Sequence, residues 1–285
     1  MKNPIIFTTR RSNRNRNADL VQVAPEIERQ ARRLNRQQKR LEKNMGLDAV
    51  KTTLEGVARQ KVIRYQDIKK IEPLTDTQED FFDAWEDNAA NAYVLYGSAG
   101  TGKTALSVYH GICDVLNPEI EQYNKLFIVR SGVAARDLGA LPGNLDEKLE
   151  AYEAPYKGLF AELTGIPNAY ERLKDMQKVE FLSSSYIRGI TLKNCIIIVE
   201  EAQNFSWEEL YSIATRVGQD TKIIFTGDTK QNDLHYKKSD VSGFIPFIDV
   251  TRTMIEFRTF RFTSDDIVRS NFCKAFLIAC EKHGL

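Results

Sequence analysis

The stretch that decides the fold is Gly97-Ser98-Ala99-Gly100-Thr101-Gly102-Lys103-Thr104. It matches the pattern G-x-x-x-x-G-K-[ST] and lies between a β-rich run, residues 92–96, and a helix-compatible run that begins at Lys103. Glycines let such a loop curl so that successive backbone N–H groups point at phosphate oxygens, and the helix N-terminus favours anions. A chance glycine-rich turn is the alternative, which the flanking elements disfavour. The stretch therefore predicts a P-loop.

The residue types of this loop assign its expected ligands, ATP and Mg²⁺. We expect Lys103 to reach the β- and γ-phosphates and the Thr104 hydroxyl to coordinate Mg²⁺. The residues expected to contact the nucleotide are Gly97, Ser98, Ala99, Gly100, Thr101, Gly102, Lys103 and Thr104.

A second element supplies the acidic groups that a P-loop needs. The apolar run 195–199 ends in Glu200 and Glu201, and a buried strand would deliver both side chains to the carboxyl edge of the sheet. We expect Glu200 to hold Mg²⁺, directly or through water, and Glu201 to polarise the attacking water as a catalytic residue. The alternative is two solvated glutamates at the start of a loop. The P-loop upstream makes that alternative minor.

A third apolar run, residues 223–225, ends in a glycine turn followed by polar residues up to Gln231. Gln231 would hydrogen-bond the γ-phosphate or the attacking water and so report which nucleotide is bound. This pattern is weak by itself, because a glutamine in a loop is more often solvated.

Short apolar runs alternate with helical patterns from about residue 70. This alternation predicts an α/β fold, in which a mostly parallel sheet is flanked by helices on both faces. The expected strands are 92–96, 125–129, 179–182, 195–199, 222–226 and 256–262. The expected helices are 75–85, 103–116, 146–163 with an interruption at Pro155, 207–217 and 264–280.

The near-neutral net charge of +1 hides an asymmetric distribution. Residues 1–46 carry 12 basic and 4 acidic residues, a charge of +8, while the rest carries 28 basic and 35 acidic residues, a charge of −7. We expect residues 1–68 to form a basic arm, disordered at first and helical over 25–45, and residues 69–285 to form the nucleotide-binding domain. The helix would dock as a solvated basic helix, self-associate or contact nucleic acid.

Cysteine usage and hydropathy narrow the cellular setting. Four scattered cysteines without a C-x-x-C pair disfavour a zinc site and a secreted disulfide framework. The longest apolar runs are strand-sized, and the N-terminus lacks the apolar region of a secretory signal. These features favour a cytoplasmic protein with no membrane span.

The motifs taken together resemble the PhoH family. The order and spacing of residues 200–204 and 226–234 match that family's two motif segments, and further matches are residues 138–143, 186–192 and 262–269. The resemblance covers roughly residues 72–285. It implies a RecA-like P-loop ATPase core related to superfamily 1 helicases. The sequence departs from the family at Glu200, where Asp is usual, and at Ser131 and His235, where Pro is usual.

The resemblance also implies roles for residues outside the P-loop. Gln78 and Thr75 stand where helicase-like relatives place an adenine-reading glutamine, although an N-cap threonine and a solvated glutamine are an equally good interpretation. Arg269 is the first candidate for an arginine finger, in cis or from a neighbouring subunit, and Arg261 is the second. A surface salt bridge is the alternative for both. Arg188 and Arg130 would contact nucleotide or nucleic acid.

Three functions are compatible with this sequence. The first is a Mg-dependent ATPase that acts on RNA or single-stranded DNA as a homo-oligomer, because one core lacks the second RecA-like domain of helicases. The family resemblance implies a hexamer. Whether it unwinds nucleic acid stays open. The second is a nucleotide-binding regulatory or assembly module with negligible turnover, to which Glu200 lends weight. A small-molecule kinase ranks last, since no acceptor pocket or lid is indicated.

Overall fold

The computed structural model describes residues 62–131, 145–187, 189–229 and 242–283, and for residues 145–151 and 281 it describes the backbone alone. The expected helix over 25–45, the motif segment 138–143, Arg188, Gln231 and His235 lie outside these residues. The expected boundary between arm and domain at residue 68 stays a prediction. Ile63, just before it, is buried in the core of the folded domain.

The described residues contain one six-stranded sheet in which every strand pair is parallel. The strands are β1 Ala92–Gly97, β2 Lys125–Arg130, β3 Val179–Ser183, β4 Cys195–Val199, β5 Thr221–Gly227 and β6 Phe257–Phe262. Their order across the sheet is β3-β2-β4-β5-β1-β6. The predicted α/β fold is confirmed, and all six predicted strands are present within one or two residues at each end. Because the strands are parallel, their carboxyl ends share one edge.

Helices cover both faces of this sheet. They are α1 Asp76–Glu86, α2 Lys103–Leu116, α3 Leu145–Thr164, α4 Ala169–Asp175, α5 Ser184–Ile187, α6 Trp207–Ala214, α7 Phe244–Thr251 and α8 Asn271–Lys282. Short 3₁₀ turns span Tyr65–Asp67, Ala202–Asn204 and Ser264–Asp266. The first four helices contribute to one apolar core, and α5, α6 and α7 contribute to the other. The two tryptophans differ in burial: Trp85 on α1 is 3% exposed, and Trp207 at the start of α6 is 37% exposed.

The expected interruption of α3 at Pro155 is wrong. Helix α3 runs unbroken from Leu145 to Thr164 with Pro155 inside it. A proline inside a helix lacks one N–H donor and crowds the preceding turn, at a cost of about 3 kcal/mol. The residues that follow, Tyr156, Phe160 and Leu163, are buried in the first core. Their packing offsets the proline, which lies in the wall of the cleft described below.

The expected helix over 264–280 is present but begins seven residues later than predicted, at Asn271, because the chain bends before α8. The backbone N–H of Asp266 donates to the carbonyl of Thr263 at 3.2 Å and closes a 3₁₀ turn, and the Asp266 carboxylate accepts the backbone N–H of Thr263 at 2.8 Å. The backbone N–H of Val268 then donates to the carbonyl of Gly100 at 3.1 Å instead of to a helical carbonyl. This bond holds the segment before α8 against the P-loop. Helix α6 is shorter than expected, and α4, α5 and α7 were not predicted.

Gly97 joins β1 to the P-loop in a conformation that only glycine adopts easily. Its φ is +122°, and a Cβ placed there would overlap the carbonyl oxygen of Phe262 on β6. We expect Gly97→Ala to lower the free energy of unfolding by about 2–3 kcal/mol, measured by urea denaturation. Gly158→Ala is the matched control, because nothing lies within 4 Å of a Cβ at this position in α3. Equal effects of the two substitutions would contradict this account.

Candidate functional site

A cleft of about 880 Å³ opens at the carboxyl edge of the sheet. The P-loop, the ends of β4 and β5, the segment before α1, one face of α3 and Arg269 line it. The cleft thus collects the predicted residues Lys103, Thr104, Glu200 and Glu201 from two separate parts of the sequence. A second depression of about 710 Å³ beside β3 contains none of the predicted site residues.

Lys103 is the first residue of α2 and lies folded over the P-loop. Its Nζ donates to the carbonyl oxygens of Gly97 at 2.9 Å and Ser98 at 2.7 Å. Burial lowers the pKa of Lys103, and the nearby carboxylates of Asp228, Glu201 and Glu200 partly oppose that shift. These three carboxylates also line the cleft, so Lys103 shares it with the acidic ends of β4 and β5.

Glu200 connects the P-loop to the neighbouring strands. The Thr104 hydroxyl donates to Glu200 Oε2 at 2.8 Å, and the Thr226 hydroxyl donates to Glu200 Oε1 at 2.8 Å. Only 2% of Glu200 is exposed. Burial raises the pKa of Glu200 to about 7, although the hydrogen bonds from Thr104 and Thr226 act in the opposite direction. The two predicted Mg²⁺ ligands, Thr104 and Glu200, are therefore hydrogen-bonded to each other.

The donor set at this point suits Mg²⁺. A hydroxyl oxygen and a carboxylate oxygen are hard ligands, and Mg²⁺ in nucleotide sites is usually held by one or two such groups together with phosphates and waters. Among the described residues, no group of three or more His, Cys, Asp or Glu side chains lies close enough to hold a metal by itself. Thr104 and Glu200 would hold the ion only in combination with nucleotide phosphates, whose negative charge the ion would neutralise.

Glu201 follows β4 in an unusual backbone conformation. Its φ of 55° and ψ of 50° place it in the left-handed region, which few non-glycine residues adopt. Its Oε2 accepts a hydrogen bond from Gln203 Nε2 at 2.6 Å, and Gln203 Oε1 accepts the backbone N–H of Asp228 at 3.0 Å. No role for Gln203, Thr226 or Asp228 followed from the sequence alone. Their positions just after β4 and at the end of β5 were the signal that would have found them.

Gln78 lies in the wall of the cleft, buried rather than solvated. Its Nε2 donates to the carbonyl of Thr101 at 3.0 Å, and its Oε1 accepts the backbone N–H of Leu74 at 2.8 Å. Thr75 is the N-cap of α1, since its side chain accepts the N–H of Gln78. Each polar atom of the Gln78 amide keeps one further hydrogen or lone pair, so adenine reading stays a prediction.

The two candidate arginine fingers lie in different places. Arg269 lines the cleft, and its Cγ would be 2.7 Å from a Cβ on Gly100, so only a glycine there permits this approach. Arg261 is exposed on the edge strand β6 and is not among the residues that line the cleft. Arg130 ends β2 as predicted, with its guanidinium 4.8 Å from the ring centre of Tyr152.

The sequence of this chain matches a known protein family and several of its members. A family model described as "PhoH-like protein" matches residues 70–281. The chain belongs to the PhoH-like family. A PhoH-like protein of Mycobacterium bovis is 32% identical over 204 residues, which cover 70% of this chain and 55% of that protein. A PhoH-like protein of Synechocystis sp. is 40% identical over 148 residues, which cover 50% of this chain and 43% of that protein.

Protein PhoH of Escherichia coli is 30% identical over 185 residues, which cover 64% of this chain and 51% of that protein. The chain thus spans about half the length of the curated relatives it matches. Family membership confirms the resemblance of the motifs, and the all-parallel sheet agrees with a RecA-like P-loop fold. Among the described residues, no helix has the length and apolarity needed to cross a membrane.

The state of Glu200 predicts how metal binding depends on pH. Because its pKa is raised to about 7, an Mg²⁺ ion bound to Glu200 would have to displace a proton below that pH and would not have to do so above it. We expect the Mg²⁺ affinity measured by calorimetry with ATP present to rise about tenfold per unit from pH 5.5 to 7 and then level off. ATP is largely deprotonated at its γ-phosphate only near neutrality, so a titration of Mg²⁺ into ATP alone is subtracted.

The control for this pH dependence is Glu200→Gln, which has no proton to displace. We expect its corrected affinity to be weaker than that of the wild type at pH 8 and nearly constant between pH 5.5 and 8. A wild-type affinity that does not change over this range would contradict the assignment of Glu200 as a metal ligand.

Proposed function

We propose that this chain binds Mg²⁺ and ATP in the cleft and hydrolyses ATP. The observation that carries the proposal is the 2.8 Å hydrogen bond between Thr104 of the P-loop and Glu200 at the end of β4. It brings a phosphate-binding loop and a metal-binding carboxylate to one point, beside a second carboxylate, Glu201, in the same cleft. Family membership agrees with nucleotide binding.

Each residue of the cleft has a distinct part in this proposal. Backbone N–H groups of the P-loop and the N-terminus of α2 hold the phosphates. Lys103 moves from the carbonyls of Gly97 and Ser98 to the β- and γ-phosphates and stabilises the charge that develops there. Glu201 accepts the proton of the attacking water, while Thr104 and Glu200 hold the metal ion. Arg269, above Gly100, supplies a further positive charge near the phosphates.

The experiment that tests the proposal is phosphate release from ATP with and without Mg²⁺. Turnover that requires Mg²⁺ and is lost on adding EDTA supports it. A purified, folded chain that binds ATP but releases no phosphate over several hours contradicts hydrolysis. The assay is repeated with single-stranded RNA and single-stranded DNA at two salt concentrations, because phosphate contacts weaken as salt rises.

A specific observation favours the second candidate, a nucleotide-binding regulatory or assembly module with negligible turnover. Both oxygens of Glu200 are already occupied by the hydroxyls of Thr104 and Thr226, and the side chain is one methylene longer than the aspartate usual in the family motif. Glu200→Asp separates the two candidates. Turnover that is absent in the wild type but present in Glu200→Asp would select the module.

We further propose that the active form is a homo-oligomer, such as a hexamer, that acts on RNA or single-stranded DNA in the cytoplasm. The basic residues 1–46 would supply contacts to nucleic-acid phosphates. The four cysteines are free thiols, which supports the cytoplasm as the compartment. Arg269→Ala and Arg261→Ala are compared for turnover and for oligomer size by light scattering. A loss of turnover in Arg269→Ala alone supports a finger in cis. A loss in Arg261→Ala alone, restored on mixing with Lys103→Ala, supports one in trans.

A further inference from the structure

We infer that Gln203 is a positioning residue that fixes the carboxylate of Glu201 for proton transfer from the attacking water and ties it to the end of β5. This inference rests on the proposed hydrolysis. It concerns a residue that neither binds phosphate nor metal in the proposal, and it acts through another side chain. Three features of the structure support it: the backbone of Glu201, the two hydrogen bonds of Gln203 and the packing at Gly227.

The backbone of Glu201 requires support from its surroundings. A left-handed conformation at a residue with a Cβ costs on the order of 1–2 kcal/mol. The 3₁₀ turn Ala202–Asn204 begins immediately afterwards, and the N–H of Asn204 donates to the carbonyl of Glu201 at 2.9 Å. This turn brings Gln203 back beside the carboxylate two residues before it. The strained backbone and the contact between the two side chains are therefore parts of one arrangement.

The amide of Gln203 uses both of its ends at the same time. Only 3% of the residue is exposed. Its Nε2 donates to Glu201 Oε2 at 2.6 Å, and its Oε1 accepts the backbone N–H of Asp228 at 3.0 Å. Because the donor and acceptor ends differ, the amide has one orientation that satisfies both partners. Gln203 thereby connects the residue that follows β4 to the residue that follows β5.

The neighbourhood leaves the Gln203 amide little room to move. A Cβ on Gly227 would lie 2.9 Å from Gln203 Oε1 and 2.5 Å from Phe244 Cε1. Gly227 is the last residue of β5, which pairs with both β4 and β1 at the centre of the sheet. The amide is thus held against rigid backbone rather than against a loop side chain.

This arrangement suits a general base better than a charged partner would. A lysine or arginine at position 203 would form an ion pair with Glu201 and make it a weaker proton acceptor. A neutral amide fixes Glu201 Oε2 without removing its charge, and among the described residues no hydrogen bond occupies Glu201 Oε1. In this inference, Oε1 is the oxygen left to accept the proton of the attacking water. Losing the amide would let the carboxylate rotate, which lowers kcat more than it changes ATP binding.

The test compares Gln203→Met, which keeps the side-chain length but can neither donate nor accept a strong hydrogen bond, with the wild type. We expect kcat to fall about 10- to 30-fold while KM for ATP changes less than about threefold, since supporting hydrogen bonds of reactive groups typically contribute 10- to 100-fold. Gln219→Met is the matched control at an exposed site on the opposite edge of the sheet. A role limited to stability would lower the melting temperature and leave kcat per folded chain unchanged.

A double-mutant cycle then asks whether Gln203 acts through Glu201. In the Glu201→Gln background, the additional Gln203→Met substitution should lower single-turnover hydrolysis less than about twofold. A further fall of about tenfold, or a wild-type kcat in Gln203→Met, overturns the inference. If Gln203→Met does not fold, Gln203→Asn replaces it, with the same expected loss because the shorter amide cannot reach both partners. If the wild-type chain shows no turnover, the proposed hydrolysis is overturned as well. If the wild-type chain turns over and Gln203→Met matches it, only the inference about Gln203 is overturned.

Discussion

Lys103→Ala should lower kcat/KM for ATP by roughly 10³-fold, the largest effect expected of any single substitution here. Lys103 is the P-loop cation, and its Nζ donates to two loop carbonyls in the cleft that the carboxylates at the ends of β4 and β5 also line. Without it, the charge that develops on the transferred phosphoryl group loses the cation of the P-loop. Phosphate release under saturating Mg²⁺ measures the effect. Calorimetry should show weaker ATP binding as well.

The control for Lys103→Ala is Lys193→Ala, an exposed lysine that precedes β4 at the opposite edge of the sheet. It should leave turnover within about twofold of the wild type, since it removes the same charge far from the cleft. The melting temperature of Lys103→Ala should stay close to that of the wild type, because burying this ammonium opposes the gain from its hydrogen bonds. Turnover that survives in Lys103→Ala would place hydrolysis elsewhere or in a contaminant.

Glu201→Gln should lower kcat by about 10²–10³-fold while ATP binding stays within a few-fold of the wild type. The substitution keeps the shape of the side chain but removes the proton acceptor. It should therefore produce a chain that holds ATP without cleaving it, which filter binding with radiolabelled ATP followed by product analysis would show. This separation of binding from turnover distinguishes Glu201 from Lys103.

Glu256→Gln is the matched control for Glu201→Gln, because Glu256 is exposed and precedes β6 at the far edge of the sheet. It should behave as the wild type in both measurements. If Glu201→Gln kept the wild-type kcat, Glu201 would not be the base. The role inferred for Gln203 would then be contradicted too, because it consists of positioning that base. If ATP binding were lost instead, Glu201 would hold the nucleotide rather than act on the water.

The sheet was predictable because each strand is visible in the sequence as a short apolar run. The run 195–199 is uninterrupted in its apolar character, and β4 is buried along its whole length as the centre of a doubly covered sheet requires. The errors lie where tertiary contacts override local pattern. Pro155 argues against a continuous helix by itself, but the buried aromatic residues after it keep α3 intact. The bend before α8 depends on the carbonyl of Gly100, more than 160 residues away in sequence, which no local pattern encodes.

The residues of the candidate site were also predictable only in part. The P-loop and the acidic pair have fixed spacings that follow from phosphate and metal geometry, so Lys103, Thr104, Glu200 and Glu201 were predictable and lie in one cleft. Thr226 and Gln203 were not assigned, because their importance comes from which neighbour each side chain touches. A threonine at the end of one strand becomes informative only when the next strand places a carboxylate beside it. The catalytic roles themselves stay predictions for the experiments above.

The unequal burial of the two tryptophans gives this protein a pair of intrinsic optical reporters. Trp85 stands within the core, 4.2 Å from the ammonium of Lys222, whereas Trp207 begins α6 four residues after Gln203. A shielded indole emits at shorter wavelength than a hydrated one. Tryptophan fluorescence at shorter wavelengths therefore reports whether the core around Trp85 is intact. Fluorescence at longer wavelengths reports on the segment next to Glu201, and neither measurement needs an attached dye.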